Sequence, residues 1–117
     1  MIYVIDDDEI MAGCIARACE GIDEVRIFSN AIEAVQEINE TNVPKLIFLD
    51  IMLDGPDGFT LLNELASYAD TGRVPVVVVS SLDFTGQNLK AYGVVGVLDK
   101  STMTPEDTRR YAEEYSG

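Results

Sequence analysis

The chain is expected to fold as a doubly wound (βα)5 α/β domain, a three-layer sandwich around a five-stranded parallel sheet with strand order 2-1-3-4-5. Three observations predict this. Short apolar, β-branched runs alternate with segments of helical period along all 117 residues, and that alternation implies a parallel sheet with right-handed crossovers. Four of the runs are apolar but for a leading lysine in one, as strands buried on both faces are. The second run alternates instead, which suits an edge strand.

The elements follow in order. IYVI (2–5) is the first strand and EVRIF (24–28) the second, weaker one. KLIFL (45–49), VPVVVV (74–79) and VVGVL (94–98) are the third to fifth. Between the first two, Glu9–Cys19 carries Ile10, Met11, Cys14, Ile15, Ala18 and Cys19 as an apolar helical stripe. Residues 30–39 form the next helix, with Asn30 as N-cap and Ile32, Val35 and Ile38 turned inward. Residues 59–69 and a short piece at Gln87–Tyr92 supply two more. The last helix is Pro105–Tyr115, with Pro105 at its first position and Tyr111, Ala112 and Tyr115 on its buried side.

Composition removes several functions. No histidine is present, so a Ser-His-Asp triad, a His-containing zinc site and a phosphohistidine on this chain are excluded. Cys14 and Cys19 lie five residues apart on one helix, roughly 140° apart around it, and do not face each other for a disulfide. Both are read as small buried hydrophobes. The formal charge of −13, from 8 basic and 21 acidic residues, disfavours direct binding to nucleic acid or to an anionic membrane. The start MIYVIDDDEI has neither the basic nor the long apolar region of a secretion signal, and no apolar run is long enough to span a bilayer. The expectation is one cytoplasmic domain over 1–117 with no output domain in this chain.

In a doubly wound sheet the functional crevice lies at the carboxyl ends of the strands, where the winding reverses. Strand 1 ends in Asp6, Asp7 and Asp8, strand 3 in Asp50, strand 4 in Ser80 and strand 5 in Lys100. In the order 2-1-3-4-5 these ends are neighbours. Clustered carboxylates raise one another's pKa values unless a cation offsets them. An all-oxygen set without His or Cys suits Mg²⁺, with Mn²⁺ as the alternative. An ammonium from Lys100 and a hydroxyl from Ser80 around Asp50 would stabilise a phosphoryl group carried on that carboxylate.

Five elements in chain order now carry a resemblance: Asp6-Asp7 in VIDDDE, Asp50 in IFLDIMLDGPDGF, Asp57-Gly58 after it, Ser80 in VPVVVVSS and Lys100 in GVLDKS. The chain resembles a response-regulator receiver domain of two-component signalling, chemotaxis-regulator-like, over nearly its full length. The resemblance implies a flavodoxin-like fold with Asp50 as phosphoacceptor. It implies Asp7 as a direct Mg²⁺ ligand beside Asp50, Asp6 acting through water, and the Met52 main-chain carbonyl as a further ligand. Lys100 would pair with phosphoryl oxygens, and Ser80 would be the switch hydroxyl. A histidine kinase or histidine phosphotransfer protein would donate the phosphoryl group, and autodephosphorylation would remove it. Output would pass to another protein or to a domain outside this chain. Asp8 and Glu9 have no part in the family pattern and are read as the start of the first helix, where acids suit the helix dipole. Asp57-Gly58 on its own is turn chemistry.

Departures from the family pattern set further expectations. Asp54 stands where the family often has proline, with Pro56 two residues on, and Ser81 where alanine is usual. Ser101 follows the lysine in place of proline, so a trans bond at 100–101 is expected, cis costing about 2.5–4 kcal/mol without proline. Val97 replaces the aromatic ring that swings inward in many receivers, and the segment 80–93, with Gly86 inside it, is short. The phosphorylation chemistry is therefore expected to be intact on a remodelled output face, one that disfavours the dimer formed through the fourth helix, last strand and last helix.

Other readings differ by class. A pseudo-receiver interaction module would lack Asp50, Asp7 or Lys100, and all are present. A Mg²⁺-dependent phosphohydrolase would carry a DxD motif, which Asp50-Ile51-Met52 is not. A flavin carrier would need a hydroxyl-rich phosphate loop where DDDEIM stands.

Overall fold

The computed structural model describes residues 1–38, 43–50, 74–80 and 94–116. Five strands, β1 (Ile2–Ile5), β2 (Val25–Phe28), β3 (Leu46–Asp50), β4 (Val76–Ser80) and β5 (Val94–Asp99), form one sheet. Its order is β2-β1-β3-β4-β5, and every pair is parallel. The expected fold class and strand order are observed, and β2 is an edge. The expected helices at 59–69 and 87–92 lie outside the described residues. Among the described residues no helix is long and apolar enough to cross a membrane.

β1, β3 and β4 are buried along their whole length, so each strand feeds two cores by alternation. Tyr3, Ile5, Ile47, Leu49, Val76 and Val78 build one core, with Ala34 of helix α2 (Ala31–Glu37). Ile2, Val4, Leu46, Phe48, Val77 and Val79 build the other, with Ala12, Ile15 and Cys19 from α1 (Glu9–Ala18) and its cap, and Ala112 from the C-terminal helix (Pro105–Tyr115).

β5 contains an irregularity with consequences for the site. Val76 pairs with Val94, but Val77 pairs with Gly96, so the register skips Val95. A bulge of this kind resets the alternation of a strand. Val94 therefore joins the first core while Leu98, four residues later, joins the second. From Gly96 onward, even positions of β5 face α1 and the C-terminal helix, as Asp6 of β1 and Asp50 of β3 do by the same alternation.

The helix boundaries have local causes. The Asp8 carboxylate accepts from the N–H groups of Ile10 and Met11 at 3.0 and 3.2 Å and caps α1, with Glu9 in the first turn. Asn30 Oδ1 accepts from Glu33 N–H at 2.9 Å, as an N-cap does. At the last helix Thr104 and Asp107 form a reciprocal capping box around Pro105. Its buried residues are Thr108 and Ala112, with Tyr111 and Tyr115 half-buried against the second core.

One expectation is corrected on α1. Cys14 is exposed, and only Cys19 is buried. The buried line of the helix runs through Ala12, Ile15 and Cys19, spaced three and four residues apart, which leaves Cys14 and Ile10 outside it. Ile10 is 82% exposed.

Candidate functional site

The acidic run after β1 divides into separate tasks. Asp6 still belongs to the sheet: its N–H donates to Phe28 O at 3.0 Å, and its side chain is 2% exposed. Its Oδ1 accepts from Asp8 N–H at 2.8 Å, which fixes the turn into α1. Asp7 is exposed and Asp8 is spent on the helix cap. Burying a carboxylate is costly without partners, so the position of Asp6 needs a compensating group.

That group comes from the residue that follows β5. Lys100 Nζ donates to Asp50 Oδ2 at 3.1 Å and lies 3.7 Å from Asp6 Oδ2. Asp50, the last residue of β3, is 2% exposed, against 21% for the Lys100 side chain. One oxygen from each of Asp6, Asp7 and Asp50 lies within 4.8 Å of the others. The strand ends thus bring Asp6, Asp7, Asp50 and Lys100 together.

Ser80 closes β4 beside this group. It is fully buried, lies one residue past Val79, the β4 partner of Asp50, and its carbonyl accepts from Lys100 N–H at 3.0 Å. Met52, Asp54, Pro56, Asp57, Gly58, Ser81 and Gly86 lie outside the described residues.

The electrostatics follow from burial. Burial pushes the Asp6 carboxyl up to about 6; the Asp8 N–H pulls it down, the neighbouring Asp50 raises it again, and Lys100 opposes that rise. For Lys100, burial favours the neutral amine. The hydrogen bond to Asp50 and the charges of Asp6, Asp50 and Asp8 outweigh it, so its pKa stands above the ordinary lysine value. Among the described residues Asp6 Oδ2 is buried and accepts no hydrogen bond. A buried carboxylate oxygen with no hydrogen bond, facing two further carboxylates, one of them open to water, is a donor set that fits a hard divalent cation keeping several of its waters. Nitrogen and sulfur ligands are absent from it, as Mg²⁺ or Mn²⁺ would require.

Sequence reasoning missed two contributors. Asp99 accepts from Ser101 N–H at 2.8 Å and from Ser101 Oγ at 2.6 Å, shaping the turn that follows Lys100. The aspartate two residues ahead of a serine N–H in DKS was its available signal. Gly96 is the other: a Cβ there would run into the Tyr111 ring. The peptide at 100–101 is trans, as expected, since no described residue has a cis bond. Val97 is 43% exposed on β5.

Known proteins are similar to this chain in sequence and in fold. The chain is 27% identical over 111 residues to a protein-glutamate methylesterase/protein-glutamine glutaminase of Azospirillum brasilense, covering 90% of this chain and 28% of that protein. It therefore spans less than a third of that relative's length. The solved receiver domain of NtrX from Brucella abortus superposes with a TM-score of 0.79 at 29% identity, covering 99% of this chain and 100% of that one. The receiver domain of the sensor histidine kinase PA1611 from Pseudomonas aeruginosa, solved with a magnesium ion coordinated in its active-site cleft, has the same fold. Its TM-score is 0.79 at 20% identity, over 99% of this chain and 96% of that one. The sequence model of the response regulator receiver domain matches residues 2–111. With that match on a sheet of order 2-1-3-4-5 carrying acids and a lysine at its strand ends, the chain belongs to the response regulator receiver domains of two-component signalling.

Proposed function

We propose that this domain is a phosphorylation-dependent switch that accepts a phosphoryl group on Asp50. The observation that carries the reading is the environment of that carboxylate. It is buried at a strand end, bonded to Lys100 at 3.1 Å, and within 4.8 Å of Asp6 and Asp7.

Asp6, Asp7 and Asp50, with the Met52 carbonyl, would hold Mg²⁺, or Mn²⁺ in its place, Asp6 acting through water. When bound, the ion supplies positive charge against the carboxylates and the incoming phosphoryl oxygens. A magnesium ion in the PA1611 receiver cleft supports this choice. The rest falls to the chain's own groups. An Asp50 oxygen attacks phosphorus as the P–N bond to a donor histidine breaks, and the imidazole keeps that electron pair and takes up a proton. Lys100 pairs with a phosphoryl oxygen as charge moves off the carboxylate. The Ser80 hydroxyl donates to another, which biases the segment after β4 between two states. Attack by water on phosphorus later releases inorganic phosphate and restores the Asp50 carboxylate.

The donor is a histidine kinase or histidine phosphotransfer protein. The output passes to a partner protein or to an output domain, and the domain acts in the cytoplasm as a signalling module, not as an enzyme on a separate substrate. The test is intact-protein mass after incubation with acetyl phosphate, with and without Mg²⁺, beside Asp50→Asn. A Mg²⁺-dependent adduct that is absent in the variant is expected. No adduct with either acetyl phosphate or a phosphorylated kinase would overturn the reading.

A further inference from the structure

We infer that Asp99 is a positioning residue for Lys100, acting through the backbone of the turn at 99–101; the inference deepens the phosphoacceptor reading and rests on it for its kinetic part. Four hydrogen bonds within residues 99–103 converge on Asp99. Its Oδ1 accepts from Ser101 N–H and Ser101 Oγ at 2.8 and 2.6 Å, and its carbonyl accepts from Thr102 N–H and Met103 N–H at 3.1 and 2.8 Å. On the other side of Lys100 the sheet supplies one more anchor, the bond from Lys100 N–H to Ser80 O at 3.0 Å. Lys100 is thus held between the ladder to β4 and a turn organised by its own neighbour.

Such anchoring matters because a lysine side chain is long and rotatable, and its ammonium must meet a buried oxygen. Ser101 has no ring to restrict its φ, so the hydrogen bonds to Asp99 are what define the chain direction there. Strand alternation sends the Asp99 side chain to the face opposite Lys100, where it is exposed. Its carboxylate therefore does not meet Asp50. Asp99 contributes acceptor geometry, and asparagine, whose Oδ1 accepts the same bonds, can replace it.

The experiment compares Asp99→Ala and Asp99→Asn, each alone and with Lys100→Ala, by the rate of Mg²⁺-dependent Asp50 labelling with acetyl phosphate. Mg²⁺ affinity and thermal melting report whether the rest of the site is intact. The ¹⁵Nζ resonance of Lys100 in the metal-free protein reads its position without any phosphoryl chemistry. Asp99→Ala is expected to slow labelling about ten-fold, to leave Mg²⁺ affinity unchanged, and to move the Lys100 signal toward that of an exposed lysine. Asp99→Asn should restore both readings, and Asp99→Ala should add nothing once Lys100 is alanine. An unmoved Lys100 signal in Asp99→Ala, or equal slowing with and without Lys100, would overturn the inference. Wild-type protein that takes no label while the Lys100 signal still moves in Asp99→Ala would sink the phosphoacceptor reading and support the positioning role.

Discussion

Lys100 Nζ and Asp50 Oδ2, fifty residues apart in the chain, meet at 3.1 Å across the ends of β5 and β3. The pair is partly wet, since the lysine keeps 21% of its side-chain surface, so its worth lies below that of a fully buried ion pair. Replacing Lys100 by alanine removes the ammonium that faces the two buried carboxylates Asp6 and Asp50. We expect a loss of about 1–3 kcal/mol in the metal-free protein and a labelling rate at Asp50 lower by about 10–100-fold. Added Mg²⁺ should raise the melting temperature of the variant more than that of the wild type. Thermal melts with and without Mg²⁺ check this, and equal shifts would show that the ammonium does not offset these carboxylates.

Asp6 is a carboxylate placed where it costs stability. Its pKa rises from 3.8 in the unfolded chain to about 6 in the fold, chiefly through burial. The folded state then holds its proton more tightly than the unfolded one. The stability this contributes is full below 3.8 and is lost as pH rises through about 6. Asp6→Asn removes the charge yet keeps an acceptor for Asp8 N–H. Urea melts of the metal-free variant at neutral pH should show a gain of about 1–3 kcal/mol, vanishing in acid, together with weaker stabilisation by Mg²⁺. A variant no more stable than wild type at neutral pH would contradict the placement of this charge.

The two thiols differ in the same physical terms. Burial pushes Cys19 up to about 11 from 9.0, with Arg109 pulling the other way, whereas Cys14 is exposed. Native protein should react with a thiol reagent at Cys14, and Cys19 should react only after unfolding. Because the raised thiol favours the neutral form, its stabilising contribution persists below pH 9.0 and fades as pH climbs through about 11. Labelling of Cys14→Ser in the folded state would show that Cys19 is accessible after all.

The parallel sheet was legible because β1, β3 and β4 are buried on both faces and read as unbroken apolar runs, while β2 alternates as an edge does. The site was legible because the order of the sheet makes the ends of β1, β3, β4 and β5 adjacent. Strand order cannot reveal which way a side chain faces once a register shifts. The skip at Val95 therefore left no sign in the alternation VVGVL, although it decides the face of Lys100. α1 misled for a different reason. Ile10, Cys14 and Ala18 extend the apolar stripe, but the helix turns Ala12, Ile15 and Cys19 inward, and the small Ala12 was the residue to notice. Arg109 likewise donates to the carbonyls of Ala18 and Glu20 at 3.3 and 3.2 Å, a tie between the C-terminal helix and the end of α1 that no local pattern announces.

The skip at Val95 makes Gly96 the hinge between the sheet and the site. With Val77 opposite Gly96 and Val79 opposite Leu98, the next residue on that face is Lys100. Gly96 also meets the C-terminal helix, because Tyr111 lies where its Cβ would stand, with the hydroxyl, Cζ and Cε1 as the nearest atoms. In Gly96→Ala either the phenol must leave its place against the second core or β5 must move outward and carry Lys100 with it. Overpacking of this kind costs about 1–3 kcal/mol. Shortening the ring removes the conflict, so Gly96→Ala should be far less harmful in a Tyr111→Leu background than in the wild type. Urea melts of the two single variants and the double variant measure that coupling. Purely additive losses would mean that the glycine serves the bulge alone, and strong coupling would mean that Gly96 is needed to make room for Tyr111 on β5.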